Sequence, residues 1–298
     1  MFDEGVIGQK SDSLHAKLIE PRFAVKDFDV QPQYINHWRK QDLFFNGEAT
    51  RGKHPFSFVD YVWIRMIEKM KDIGLRFEVI RTVRDEMQSK PLWAKDDLDS
   101  IFDLLIQKKP DIFGTKDGRK KLEEKRIILH DQAEIQNYFS NLLAVAIANK
   151  SSLSFLINPL GEVIHLDPKR EKDLFKNKQF ISSFQSFYIS ISVTEIIQEF
   201  IGGEKRDIAT NDLDLISKEE EAVLGHLEED SLIKLIIETE EAEIDLFKEN
   251  KEDAKDRFLD IITSEAYKRI VILNDRGTET KFLNPNQIEL VHGELSEN

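Results

Sequence analysis

The chain reads as an α+β protein: a mostly helical N-terminal region followed by an α+β region with β-hairpins. Three observations predict this. Apolar residues recur at helical spacing through residues 31–107, whereas two-residue alternation dominates from residue 232 onward. All three tryptophans (Trp38, Trp63, Trp93) fall in the first third. Charge is divided just as unevenly. Residues 15–87 carry 13 basic and 11 acidic side chains, a local +2, so the rest of a chain of net charge −14 sums to −16. Residues 217–260 alone hold 16 acidic against 6 basic groups, a contrast that points to domains with different tasks.

The elements follow in order. Gln31-Pro32 opens a first helix, because proline is preset for the first helical position. Ile35 and Trp38 then share one face. Residues 44–56 contain two glycines and a proline and form a turn or small hairpin. Ser57 caps the next helix, with Asp60 as its capping-box partner. Phe58, Val62, Ile64, Ile67 and Met70 supply its apolar contacts, and Gly74 ends it. Leu75–Met87 resumes a helix with Leu75, Val79, Ile80 and Val83 inward, and Asp97–Gln107 forms another. Trp38, Phe56 and Trp63 are expected in the core rather than as base-stacking platforms.

Beyond a charged linker, the pattern predicts a helix over Gln132–Asn149. A hairpin of Ser152–Ile157 and Glu162–Leu166 follows, turning at Asn158-Pro159-Leu160-Gly161. A helix over Phe180–Ile201 ends at Gly202-Gly203, and another spans Ser217–Leu227. Leu232–Ile237 pairs with Ala242–Phe247, and Arg269–Leu273 with Thr280–Leu283 across Asn274–Gly277. A helix of Ala254–Ser264 separates these hairpins, which together make a loose internal repeat. The expected division is 15–90, 91–126 (helix and charged linker), 127–205 (α+β) and 206–298 (acidic α+β).

At 298 residues, 40% hydrophobic and 33% charged, the chain is globular rather than disordered. It has no cysteine, which excludes disulfide scaffolds, thiolate metal sites and cysteine nucleophiles. The acidic start Met-Phe-Asp-Glu-Gly lacks the basic and apolar regions of a signal peptide. The longest apolar run, Leu142–Ala148, is far below the ~20 residues that span a bilayer. The expectation is a soluble, cytoplasmic protein with no membrane partner.

One segment carries a functional pattern. It runs Val30-Gln31-Pro32-Gln33-Tyr34-Ile35-Asn36-His37-Trp38, then Leu43, then Gly52-Lys53-His54-Pro55-Phe56-Ser57, then Gly74-Leu75-Arg76-Phe77-Glu78-Val79-Ile80. Residues 23–87 thereby resemble the MerR-type winged helix-turn-helix family of bacterial DNA-binding regulators. The resemblance implies a winged helix-turn-helix over residues 15–90. Its second helix would enter the major groove of double-stranded DNA, and its wing would touch the backbone.

The residues suit that role. With Ile35 and Trp38 turned inward, Gln33, Asn36, His37 and Arg39 or Lys40 project outward. Gln and Asn can contact adenine through two hydrogen bonds, and His and Arg reach base or phosphate acceptors. Gln31, Gln33 and Tyr34 start the helix, where free amides suit a phosphate oxygen. Arg51, Lys53 and His54 lie on the wing, where cations position the protein on the backbone. Two departures reduce cationic strength: Asn36-His37 replaces the family's usual arginine–aromatic pair, and His54 occupies the wing arginine position. The segment before Val30 is shorter than the family's usual first helix.

Other chemistry is sparse. His165-Leu166-Asp167 is the best metal-like pair, yet a single pair on a hairpin edge normally faces solvent. Phosphate-binding glycine loops, nucleophile elbows and His-Glu-x-x-His motifs are absent, and Glu219-Glu220-Glu221 reads as a solvated helix face. No catalytic residue, metal site or cofactor is expected. The expected function is a sequence-specific DNA-binding transcription regulator, a homodimer with a C-terminal sensing or interaction region open to a small-molecule or protein effector. Two alternatives stand beside it: an architectural or recombination accessory factor of a mobile element, and a protein-interaction module that has lost DNA binding.

Overall fold

The computed structural model describes residues 13–45, 56–89, 115–116, 118–120, 138–166, 188–228, 232–239, 242–247, 251–264, 267–274 and 279–283. Its contacts divide the chain into two compact units. The first comprises Met1–Val145, Phe155–His165 and Ile181–Ile191, and the second Ala146–Ser154, Leu166–Phe180 and Ser192–Asn298.

In the first unit a helix over residues 13–19 (α1) precedes a single 3-10 turn, Val25–Asp27. This short turn is all the helix that lies between α1 and Val30. Helix α2 (Pro32–Lys40) starts on its proline as expected and buries only Ile35 and Trp38. Helix α3 (Phe58–Asp72) runs through the core, with Phe58, Val62, Trp63, Ile64, Met66, Ile67 and Met70 fully buried. Its capping box is formed: the Ser57 Oγ accepts from the Asp60 backbone N–H at 3.1 Å, and the Ser57 N–H donates to the Asp60 carboxylate at 2.9 Å. Burial pushes the Asp60 carboxyl up from its ordinary value, and the two Ser57 bonds partly offset that.

Helix α3 closes on Gly74 at φ +84°, with Gly74 N–H bonded to Lys71 carbonyl and Leu75 N–H to Met70 carbonyl, both at 2.9 Å. This pair of bonds is a Schellman closure. It consumes Leu75, so helix α4 starts at Phe77 (Phe77–Ser89), not at Leu75 as periodicity suggests. Val79, Ile80 and Val83 are buried as expected, whereas Leu75 is only half-buried. Phe56, which bridges antiparallel to Phe23, brackets the core from the other side. Trp63 meets Phe45 at 4.7 Å and Phe139 of α5 (Tyr138–Ala148) at 5.9 Å between ring centroids. Residues 46–55 of the turn predicted over 44–56, the helix 97–107 and the stretch 132–137 lie outside the described residues.

The predicted hairpin forms as β1 (Ser154–Ile157) and β2 (Val163–Leu166). Asn158 organises its turn, accepting through Oδ1 from the N–H groups of Leu160 and Glu162, each at 3.0 Å. Gly161 sits at φ +88°, and a Cβ there would fall 2.7 Å from the Thr82 Cβ. One correction follows. The segment expected to be helical from Phe180 contains a strand, β3 (Ile189–Ser192), which completes the order β2-β1-β3. Ile-Ser-Ile-Ser alternates with a period of two and is half β-branched, so it suits a pleat better than a helix. Ser192 then caps helix α6 (Val193–Gly202) through its Oγ, which accepts the Glu195 N–H at 3.1 Å.

The second unit continues with α7 (Arg206–Asn211), which the sequence reading missed, and α8 (Lys218–Glu228). Strands β4 (Leu232–Thr239) and β5 (Glu243–Phe247), helix α9 (Lys251–Ser264), and strands β6 (Tyr267–Asn274) and β7 (Glu279–Leu283) follow. Both expected hairpins are present. They are also joined: β4 pairs antiparallel with β6, setting Leu235 opposite Ile272 and Ile237 opposite Ile270, in the order β5-β4-β6-β7. Helix α9 packs against α6 and α8 and buries Ala254, Phe258, Leu259, Ile261 and Ile262.

The expectation of a solvated Glu219–Glu221 run needs a second correction. Glu220 is 1% exposed. It accepts from the Ser217 N–H at 2.8 Å and the Tyr267 hydroxyl at 2.9 Å, and it pairs with Lys150. Its place three residues after Ser217 makes it a capping-box carboxylate, which draws it inward while Glu219 and Glu221 stay outside. Burial and the neighbouring Glu220 charge both push the Tyr267 phenol well above its usual range.

Candidate nucleic-acid interface

Helix α2 is amphipathic in the simplest sense. Its inward residues are three apart, so the remaining positions fall on the other side. Gln33, Asn36, His37 and Lys40, at spacings of three and four, form one exposed stripe. Gln31 precedes the helix, exposed, and the Gln33 amide N–H donates to its side-chain oxygen at 2.6 Å. Tyr34, 50% exposed, stacks on Trp38 with centroids 6.3 Å apart and planes inclined by 18°.

The helix end is built for rigidity. Leu43 N–H bonds to Trp38 carbonyl at 3.1 Å and Asp42 N–H to Arg39 carbonyl at 3.0 Å, a Schellman closure with Asp42 at φ +55° in the place glycine usually takes. The fully buried Leu43 then offers its carbonyl to the Trp63 indole N–H at 2.7 Å, tying the end of α2 to α3. Arg84 of α4 grips the same corner. Its guanidinium donates to the Asp42 carbonyl, lies 2.9 Å from the Asp42 carboxylate, and reaches Asp85 at 2.6 Å.

The Phe77 ring holds one stripe residue and a neighbouring cation. His37 meets Phe77 edge-on at 5.2 Å, while the Lys71 ammonium lies 4.2 Å over the same ring and donates to the Leu75 carbonyl at 2.8 Å. Arg39 does not join the stripe. Its guanidinium lies 5.8 Å from the Phe56 ring centre, and its Nε is buried without a hydrogen-bond partner. Trp38, Phe56 and Trp63 are all buried, as core residues should be.

Thus Gln31, Gln33, Tyr34, Asn36, His37 and Lys40 come together on one surface, with Arg39 withdrawn beside it. Arg51, Lys53 and His54 lie outside the described residues. Asp42, Phe77 and Arg84, which hold the surface in place, were not foreseen. The sequence signal for Asp42 is an aspartate just past a helix, one of the few non-glycine residues that accept left-handed backbone. Nothing local marks Arg84, because its partner lies 42 residues away.

Residues 23–87 match the family model for MerR HTH family regulatory proteins. The match spans the 3-10 turn, α2, α3 and most of α4, so this segment is a MerR-type helix-turn-helix of the DNA-binding, transcription-regulating kind. Comparison with curated proteins and with solved structures gave no match for the chain.

His165 is engaged, its Nδ1 hydrogen-bonded to the Tyr138 hydroxyl at 2.8 Å, and Asp167 lies outside the described residues. Among the described residues, no group of three metal-ligating side chains is assembled. Among the same residues, no helix is long and apolar enough to cross a membrane.

Proposed function

We propose that this protein is a sequence-specific DNA-binding transcription regulator whose MerR-type segment docks α2 in the major groove. One observation carries the reading. The exposed side of α2 is a continuous stripe of side chains able to hydrogen-bond bases and phosphates, on a helix clamped at its C-terminal end by two partners. Gln33, Asn36 and His37 face base edges. Gln31, Tyr34 and Lys40 flank them toward phosphates, and Arg51, Lys53 and His54 reach the backbone from the wing. Arg39 stiffens the base of the helix against Phe56.

A homodimer follows from size. A nine-residue helix reads too few base pairs for genomic specificity, and a two-fold pair doubles the site. The acidic remainder serves dimerisation and effector sensing, and its −16 repels the duplex so that only the +2 block approaches it. This is a cytoplasmic regulator without a cofactor.

The test is retention of duplex DNA, including the protein's own upstream region, as a function of salt. Log affinity should fall linearly with log salt by ~0.9 per phosphate contacted. Arg51→Ala with Lys53→Ala should weaken binding to all sequences alike and reduce that slope by about two. A full-length protein that shows no salt-sensitive retention refutes the reading.

A further inference from the structure

Resting on the DNA-binding reading, we infer that the half-site read by α2 is centred on adenine, recognised in the major groove by the Asn36 carboxamide. The argument is one of inventory on the exposed stripe. Guanine presents two acceptors, N7 and O6, in the major groove, and the group that fits both is a guanidinium. Adenine presents an acceptor, N7, beside a donor, the N6 amino group, and the group that fits this pair is a carboxamide.

The only guanidinium on α2 belongs to Arg39, and it is withdrawn over Phe56 with its Nε buried. On α4, the guanidinium of Arg84, which grips the end of α2, is committed to Asp42 and Asp85. Lys40 is the last residue of the helix, whereas base edges are met by the N-terminal part of a recognition helix, so its ammonium faces phosphate. His37 is turned edge-on to Phe77 and offers single, not paired, hydrogen bonds.

Two carboxamides remain on the stripe. Gln33 has one of its two N–H donors engaged by Gln31, so its amide is already oriented toward the helix start. Asn36 is exposed, lies mid-helix, and its carboxamide makes no hydrogen bond among the described residues. It presents the complement of adenine, one donor and one acceptor, without giving up an existing bond.

The experiment is selection of bound duplexes from a randomised pool by the full-length protein, followed by replacement of each selected adenine with 7-deazaadenine, which lacks the N7 acceptor. A·T should be enriched at one or two positions per half-site. At one of these, 7-deazaadenine should weaken wild-type binding about tenfold and leave Asn36→Ala unaffected. Asn36→Arg should shift the preference there toward guanine. Salt-sensitive binding with guanine at the core overturns this inference and leaves the DNA-binding reading standing. Equal sensitivity of wild type and Asn36→Ala to 7-deazaadenine does the same. Loss of all duplex retention overturns both. Because Asn36 is exposed on the helix surface, its substitutions preserve the fold, and unchanged far-ultraviolet circular dichroism checks this.

Discussion

Replacing Trp63 by phenylalanine should uncouple α2 from the core without touching the proposed DNA surface. Two losses add. The Leu43 carbonyl, fully buried, loses its 2.7 Å donor, and an orphaned buried acceptor costs ~1–3 kcal/mol. Trp63 is itself 0% exposed, so the smaller ring leaves a void beside Phe45 and Phe139 worth ~1–2 kcal/mol more. The sum, about 3 kcal/mol, corresponds to a fall of ~1.5 M in the urea midpoint at a slope of ~2 kcal/mol/M. Trp38→Phe is the matched control. Its indole makes no hydrogen bond among the described residues, so it should lose only volume and stacking, ~1–2 kcal/mol. Tryptophan fluorescence suits the assay, because every tryptophan lies in the first third and reports that region alone. Equal destabilisation by the two substitutions would show that the Leu43–Trp63 bond contributes nothing net, and the clamp argument would fall with it.

Further outcomes are expected elsewhere. Gly161→Ala should lower the unfolding midpoint by the equivalent of at least ~2 kcal/mol, since it combines left-handed backbone with a Cβ 2.7 Å from Thr82; a variant as stable as wild type refutes this packing. Glu220→Ala should cost ~3–5 kcal/mol in denaturant titration, because it removes the buried carboxylate with which Lys150 pairs; a loss below ~1 kcal/mol would mean that water reaches the ammonium. Glu228 has a carboxyl held down to about 2 by hydrogen bonds from Arg206 and then Lys255. A carboxyl depressed in the fold stabilises above its ordinary value near 4.5 and loses that contribution as pH falls from there toward 2. Glu228→Gln should therefore flatten the stability–pH curve in that window only. The effect should stay below ~1 kcal/mol, since the side chain is half-exposed; a change confined to neutral pH contradicts it.

How much of this was legible beforehand depends on how far each interaction reaches along the chain. Local chemistry read well. Pro32, the Ser57–Asp60 capping box and Gly74 all act within a turn or two, and each element they bound was found where expected. The inward placement of Ile35 and Trp38, and hence the exposed stripe, followed from helical spacing alone. The errors came where a short pattern competed with a long one. Ile189–Ser192 was absorbed into a helix because the apolar run beyond it is helical. Glu220 looked solvated among its neighbours because its partners, Lys150 and Tyr267, lie 70 and 47 residues away. The β4–β6 pairing and the Arg84 grip on Asp42 are likewise invisible to any local rule.

That grip has a mechanical meaning. Ile35 and Trp38 are only two roots, and a rod fixed at two points can still rock about the line through them. The corner at Asp42, gripped from α4, adds a third point off that line, and three such points fix a rigid body. The angle at which α2 would meet the proposed DNA target is thus dictated by α4 as much as by the core. Any displacement of α4, from whatever source, is geared directly into the aim of Asn36.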